Sequence, residues 1–204
     1  MISPNNVHLS HMTSFGDAVF AFAITFMAIS IQIPDLSSNL SEAEVTGKIL
    51  QLLPQFEIYL YSFIIIGIFW VKYHLIFNKI KDSQSVMVWL NLLFLFFVTL
   101  VSFGTTLRLG NDIYISTFVL YALILTITSI LLSLIWLIAI RNNLVIDESM
   151  TKTQKKLNLL QGVIPAFIFA SSIGVAFINL QTAQYVWILV IPAQLFIKKR
   201  TRIS

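Results

Sequence analysis

The sequence predicts an all-α, polytopic membrane protein with six transmembrane helices. Three observations carry that prediction. Only 11% of the 204 residues are charged and 57% are hydrophobic, whereas soluble domains carry about 25% charged residues. Mean hydropathy is +0.86. The apolar residues also gather into blocks that suit a hydrocarbon core about 30 Å thick, which a helix crosses in about 20 residues.

The spans are expected near 15–33, 56–77, 86–107, 113–140, 159–178 and 182–197. Pro34, Pro54 and Gly110-Asn111-Asp112 punctuate their boundaries. The first block reads as a retained helix rather than a cleaved leader. Residues 1–10 contain no Lys or Arg, Asp17 interrupts the early part, and Ile33-Pro34 makes a poor cleavage site. Between the first two spans, Ser41 and Glu44 have the spacing of a helix capping box. The fourth block exceeds the length needed and is expected to tilt or to run past the membrane. Pro165 and Pro192 fall inside spans five and six, where kinks are tolerated if neighbouring helices satisfy the freed carbonyls. The sixth span is short. No linker divides the chain, so residues 1–204 are expected to form a single six-helix domain.

Charge orients these spans. Lys72, Lys79, Lys81, Arg141, Lys152, Lys155, Lys156, Lys198, Lys199, Arg200 and Arg202 fall on one set of segments, and only Lys48 and Arg108 on the other. The positive-inside rule makes the first set cytoplasmic, with both termini there. A net charge of +4 is therefore read as membrane orientation and not as nucleic-acid binding. The terminal cluster from Lys198 to Arg202 reads as a topology signal before a lipid site. Trp136 and Trp187 fit either interfacial anchors or bundle packing.

Chemistry narrows the function by exclusion. Without cysteine there is no disulfide and no thiolate site. The three histidines, His8, His11 and His74, are too scattered to argue for a metal. No phosphate-binding glycine loop and no hydrolase or zinc-protease motif occurs, so neither an enzyme nor a cofactor is expected. No carbonyl filter of the Thr-Val-Gly-Tyr-Gly kind and no voltage-sensing arginine ladder is present either.

The first span is the most informative. Its helix carries Asp17 at the membrane edge, where a carboxylate costs a few kcal/mol unless partnered. Phe15, Phe22 and Ile29 recur every seven residues, with Thr25 and Phe26 on the same stripe. Periodicity alone fits an ordinary packing seam between helices. Asp17 fits either a structural carboxylate favoured by the helix dipole or a ring that binds ions.

The stretch His11-x-x-x-Phe15-Gly16-Asp17-Ala18-Val19-Phe20-Ala21-Phe22-Ala23-Ile24-Thr25 resembles the transmembrane protein 175 family of potassium channels, whose first helix opens Arg-x-x-x-Phe-Ser-Asp. His11 stands for the arginine and Gly16 for the serine. Further on, Ser62-Phe63, Gly67 and Trp70-Val71-Lys72-Tyr73-His74 resemble the family's Trp-x-x-His-His stretch, with Tyr73 in place of the first histidine. Trp89-Leu90-Asn91 and Ser102-Phe103 continue the likeness, which is specific to about residue 107.

The resemblance implies a homotetramer in the cell membrane that passes potassium ions passively along a central pore. In such a pore the first helix of each subunit is the wall, with Phe22 at an apolar constriction and Thr25 and Ile29 lining it more deeply. Phe22 is bulkier than the isoleucine usual there. The resemblance also implies an internal polar network around Asp17, with His11, Trp70, His74, Trp89 and Asn91 as members. A histidine at position 11 would make part of that network depend on pH. The rival reading is a proton-coupled or other secondary transporter, which calls for polar midmembrane sites and discontinuous helices.

Overall fold

The computed structural model describes residues 8–36, 39–109, 114–146 and 150–203, with the side chains of 198–203 outside the description. Helix α1 spans Leu9–Ile29. It begins earlier than the apolar block because Ser10, His11, Thr13 and Ser14 extend the helix beyond its hydrophobic part. It ends before Pro34, whose ring disfavours helical geometry in the preceding residue. A short helix, α2 (Glu42–Leu50), follows. The Ser41 side chain accepts from the Glu44 backbone while the Glu44 side chain accepts from the Ser41 backbone, so the capping box forms.

Five longer or composite helical segments complete the chain. Helix α3 spans Leu53–Phe77 with Pro54 in its first turn, where a missing N–H costs nothing. Helices α4 (Ser85–Arg108) and α5 (Ile115–Arg141) follow. Helix α6 (Lys152–Ala176) opens on a second capping box, Thr151 with Gln154. The last span is composite: α7 (Leu180–Tyr185), a 3-10 turn at Val186–Leu189, and α8 (Val190–Ile203). Among the described residues, six helical segments are long and apolar enough to cross a membrane. The Gly110-Asn111-Asp112 cluster and Ile113 lie outside the described residues, as do the side chains of the terminal basic cluster.

Helix α5 is the spine of the bundle and packs against α4 and α6, while α1 packs against α4 and α3, and α8 against α6. Two aromatic clusters fill the interior. Phe20, Phe69, Tyr73 and Phe94 join α1, α3 and α4, with the Tyr73 and Phe94 rings stacked at 5.7 Å. Phe118, Tyr121, Phe169 and Trp187 join α5, α6 and the 3-10 turn. Trp136 and Trp187 are both buried, which settles them as bundle-packing residues. Trp136 donates to the Lys155 carbonyl and Trp187 to the Ser172 hydroxyl.

Two polar features bear on the membrane-spanning part. Arg108, at the end of α4, is buried under three aromatic rings, with its guanidinium carbon 5.0 to 5.6 Å from their centroids. Pro165, inside α6, has no N–H to offer the carbonyl of Gln161 one turn back. That carbonyl instead accepts from the Lys72 ammonium of α3 and from Gln194 Nε2 of α8, the latter at 2.8 Å. A proline thereby ties three helices together, and Lys72, counted above with the loop lysines, lies buried within α3.

At the lysine-rich end of the bundle, the α3–α4 and α5–α6 loops are joined by backbone pairing of Ile80 with Val145. Lys81 N–H donates to Leu144 and Ile146 N–H to Lys79, both at 2.8 Å.

Candidate functional site

Helix α1 has two faces of nearly equal apolarity and very different surroundings. Met12, Gly16, Phe20, Ala23 and Met27 recur at helical spacing and are buried against α3 and α4. Phe15, Phe22, Phe26 and Ile29 are exposed, Phe22 at 62% and Ile29 at 80%. The Phe22 and Phe26 rings stack on each other with centroids 5.7 Å apart. On the same exposed side, the Thr25 hydroxyl donates back to the Ala21 and Phe22 carbonyls, each at 3.0 Å. Its proton is thus committed to the helix while its oxygen keeps lone pairs for an outside donor or cation.

The helix is held by directed bonds as well as by packing. Asp17 Oδ1 accepts from Trp70 Nε1 at 2.8 Å and from His74 Nε2 at 2.7 Å. Trp70 and His74 are one turn apart on α3, so their rings meet edge to face and present both N–H groups to one carboxylate oxygen. With an ionised Asp17, His74 carries its proton on Nε2. The Tyr73 hydroxyl donates to the Met12 carbonyl, and the Ser102 hydroxyl of α4 donates to the Ala23 carbonyl at 2.8 Å. Three of the six residues singled out for a polar network therefore meet: Asp17, Trp70 and His74. His11 is exposed, with its ring 6.0 Å from that of His8. Trp89 is exposed at 64%, and neither residue bonds to Asp17. Asn91 is buried on α4 beside Tyr73, and its Oδ1 has no hydrogen-bond partner among the described residues.

Sequence reasoning gave no helix-tying role to Tyr73, Ser102, Lys72 or Gln161. Three of these meet a main-chain atom, and a carbonyl leaves no mark in the sequence. The Lys72–Gln161 tie did carry a signal in Pro165, which frees the carbonyl four residues before it.

Fold and site together define a six-span helical membrane protein whose first helix is pinned on one face and open on the other. Residues 11–101 match the family model described as the endosomal/lysosomal potassium channel TMEM175. Over those residues, somewhat less than half of its length, the chain is similar to that family. A potassium channel of Chryseobacterium sp. (strain P1-3) is 32% identical over 94 residues, covering 46% of this chain and 45% of that protein. A potassium channel of Streptomyces collinus is 25% identical over 175 residues, 81% of each chain. The crystal structure of a lysosomal potassium-selective channel TMEM175 homolog from Chamaesiphon minutus superposes with a TM-score of 0.76, covering 93% of this chain and 97% of that one at 23% identity. That likeness extends the shared fold past the family match into α5–α8.

Two departures from the family pattern turn out to be neighbours. A Cβ atom on Gly16 would stand 2.7 Å from the Tyr73 hydroxyl oxygen. The tyrosine that stands where the resemblance expects a histidine thus fills the space a serine at position 16 would need.

Proposed function

We propose that the chain is a single six-helix channel domain that assembles as a homotetramer and passes potassium ions passively. Four copies of α1 would surround the pore axis, with Phe22 at a dry constriction and Thr25 and Ile29 lining the path beyond it. The observation that carries this reading is the open stripe of α1: a bilayer-length helix leaves large apolar side chains exposed in its own subunit. The potassium-channel names of its relatives support the choice of ion.

Four apolar rings around a narrow axis exclude water, so an ion crossing them sheds hydration with little replacement. The Thr25 hydroxyl, close below, offers an oxygen to that partly dehydrated ion. A hydroxyl ring replaces only part of a hydration shell, which suits moderate selectivity for potassium over sodium. Asp17 acts as an architectural residue that sets the rotation of α1 through Trp70 and His74. The lysine-rich loops and both termini face the cytoplasm, with the protein in the cell membrane.

Purified protein in liposomes, given potassium, sodium or proton gradients under an imposed voltage, tests the reading. Potassium flux that follows voltage without a coupled ion is expected. Flux that requires a proton or sodium gradient would indicate a secondary transporter instead. Cysteines at Phe22, in this cysteine-free chain, should crosslink neighbouring subunits. Thr25→Val should lower potassium-over-sodium selectivity, read from reversal potentials.

A further inference from the structure

Beside the α3–α6–α8 tie lie two adjoining cavities that the channel reading does not use. One, of about 190 Å³, sits between α3, α5 and α6 and is lined by Lys72, Lys79, Trp136 and Asn158 among others. The second, of about 560 Å³, runs between α3 and α8 along Phe63, Ile64, Ile68, Ile191 and Leu195. Lys72, Leu75 and Gln161 line both, so the cavities meet at the buried ammonium.

The charge there is unbalanced. The Lys72 ammonium has three N–H donors and, among the described residues, one acceptor, the Gln161 carbonyl, which it shares with Gln194. Lys79 lies 5.7 Å from the centre of the Trp136 ring. No carboxylate lines either cavity among the described residues. A cation inside a membrane protein is costly without an anionic partner, and here none comes from the cavity walls.

Position and shape specify the missing partner. Lys72 stands five residues before the end of α3, about 7.5 Å along the helix axis, on the side of the lysine-rich loops. With the lysine-rich loops at the membrane surface, as proposed above, that depth brings the ammonium within reach of the adjacent headgroups. The larger cavity is almost wholly apolar, and Gly67 opens its wall, since a Cβ there would meet nothing within 4 Å. A free anion would leave that apolar groove unfilled. We propose that the paired cavities bind an anionic phospholipid, its phosphate between Lys72 and Lys79 and one acyl chain along the α3–α8 groove past Gly67. Basic pockets between transmembrane helices bind anionic headgroups by the same physics.

The test uses thermal unfolding of the full-length protein in detergent with added phosphatidylglycerol, phosphatidylcholine of the same acyl chains, or inorganic phosphate. Phosphatidylglycerol should raise the midpoint at about thirty-fold lower concentration than phosphatidylcholine, the preference expected for two ammonium groups near a headgroup. Lys79→Gln should cut that preference to about five-fold. Gly67→Leu keeps both ammonium groups and fills the groove, so it should remove the lipid response while the lipid-free midpoint stays near that of the parent. Equal responses to the two lipids, or a full phosphatidylglycerol response in Gly67→Leu, would overturn the proposal. So would an equal shift from inorganic phosphate, which marks a free-anion site. Disulfide-linked subunits formed through Gly67→Cys would show that a second copy occupies the groove, with the same consequence.

Discussion

Phe20 and Phe22 stand two residues apart on α1 and meet opposite surroundings. Phe20 is 1% exposed, with its ring against Tyr73 and Phe94; Phe22 is 62% exposed, with its ring against Phe26 of its own helix. The packed face carries a glycine, an alanine and two methionines that let α3 and α4 approach closely. The open face carries three phenylalanines and an isoleucine that the subunit does not cover. Hydropathy is nearly blind to this difference, because both faces are apolar. In a membrane the discriminating features are side-chain size and directed bonds, since lipid is as apolar as leucine.

The comparison breaks most sharply at Phe20. Phe20→Ala should destabilise the protein by roughly 3 kcal/mol or more through the cavity left among Tyr73 and Phe94, read as a lowered thermal midpoint in detergent. A loss below about 1 kcal/mol would mean that this face is loosely packed. Gly16→Ser comes next, at about 1–3 kcal/mol from overpacking against Tyr73. Combining it with Tyr73→His, the residue the family resemblance places there, should recover at least half of the loss. Strict additivity in that double variant would show that the two departures are unrelated.

Asp17→Asn should have a smaller effect, about 1 kcal/mol. It weakens two charge-assisted bonds, but the side chain is half exposed. If Asp17 sets the rotation of α1, tetramer yield should fall in step with stability. A variant that assembles normally but changes cation-over-anion preference would put the carboxylate in the permeation path. Phe22→Ala should have the least effect on stability, within about 0.5 kcal/mol, because the subunit offers that ring few partners. Its effect should appear in conductance, which rises as the constriction widens. A stability loss as large as that of Phe20→Ala would mean that Phe22 is packed like a core residue in the assembled protein.

Much of this architecture was legible in the sequence. The six blocks located the spans to within a turn or two, and Ser41 with Glu44 marked α2 correctly because a capping box is local chemistry. The start of α1 was less legible, since Ser10 to Ser14 are polar yet helix-compatible and hydropathy alone cuts them off. Asp17, Trp70 and His74 were visible as residues through the family resemblance, but their meeting at one oxygen depends on the register between α1 and α3. The exclusion of His11 and Trp89 from that meeting depends on the same register. The bonds of Tyr73 and Ser102 were not legible because each donates to a backbone carbonyl. The two faces of α1 could not be ranked from spacing, which yields a stripe without saying what lies opposite it.

The composite last span has a bearing on reach. Its membrane-length part, Leu180–Ile197, has 18 residues, the shortest of the six. Four of them, Val186–Leu189, are wound as 3-10 helix, which rises about 2.0 Å per residue against 1.5 Å in an α-helix. The tighter winding lengthens the rod to about 29 Å, where a uniform α-helix would give about 27 Å. A segment that hydropathy marks as marginal thereby comes close to matching a hydrocarbon core of about 30 Å. A change of local pitch thus adds reach to a short span without adding a residue to it.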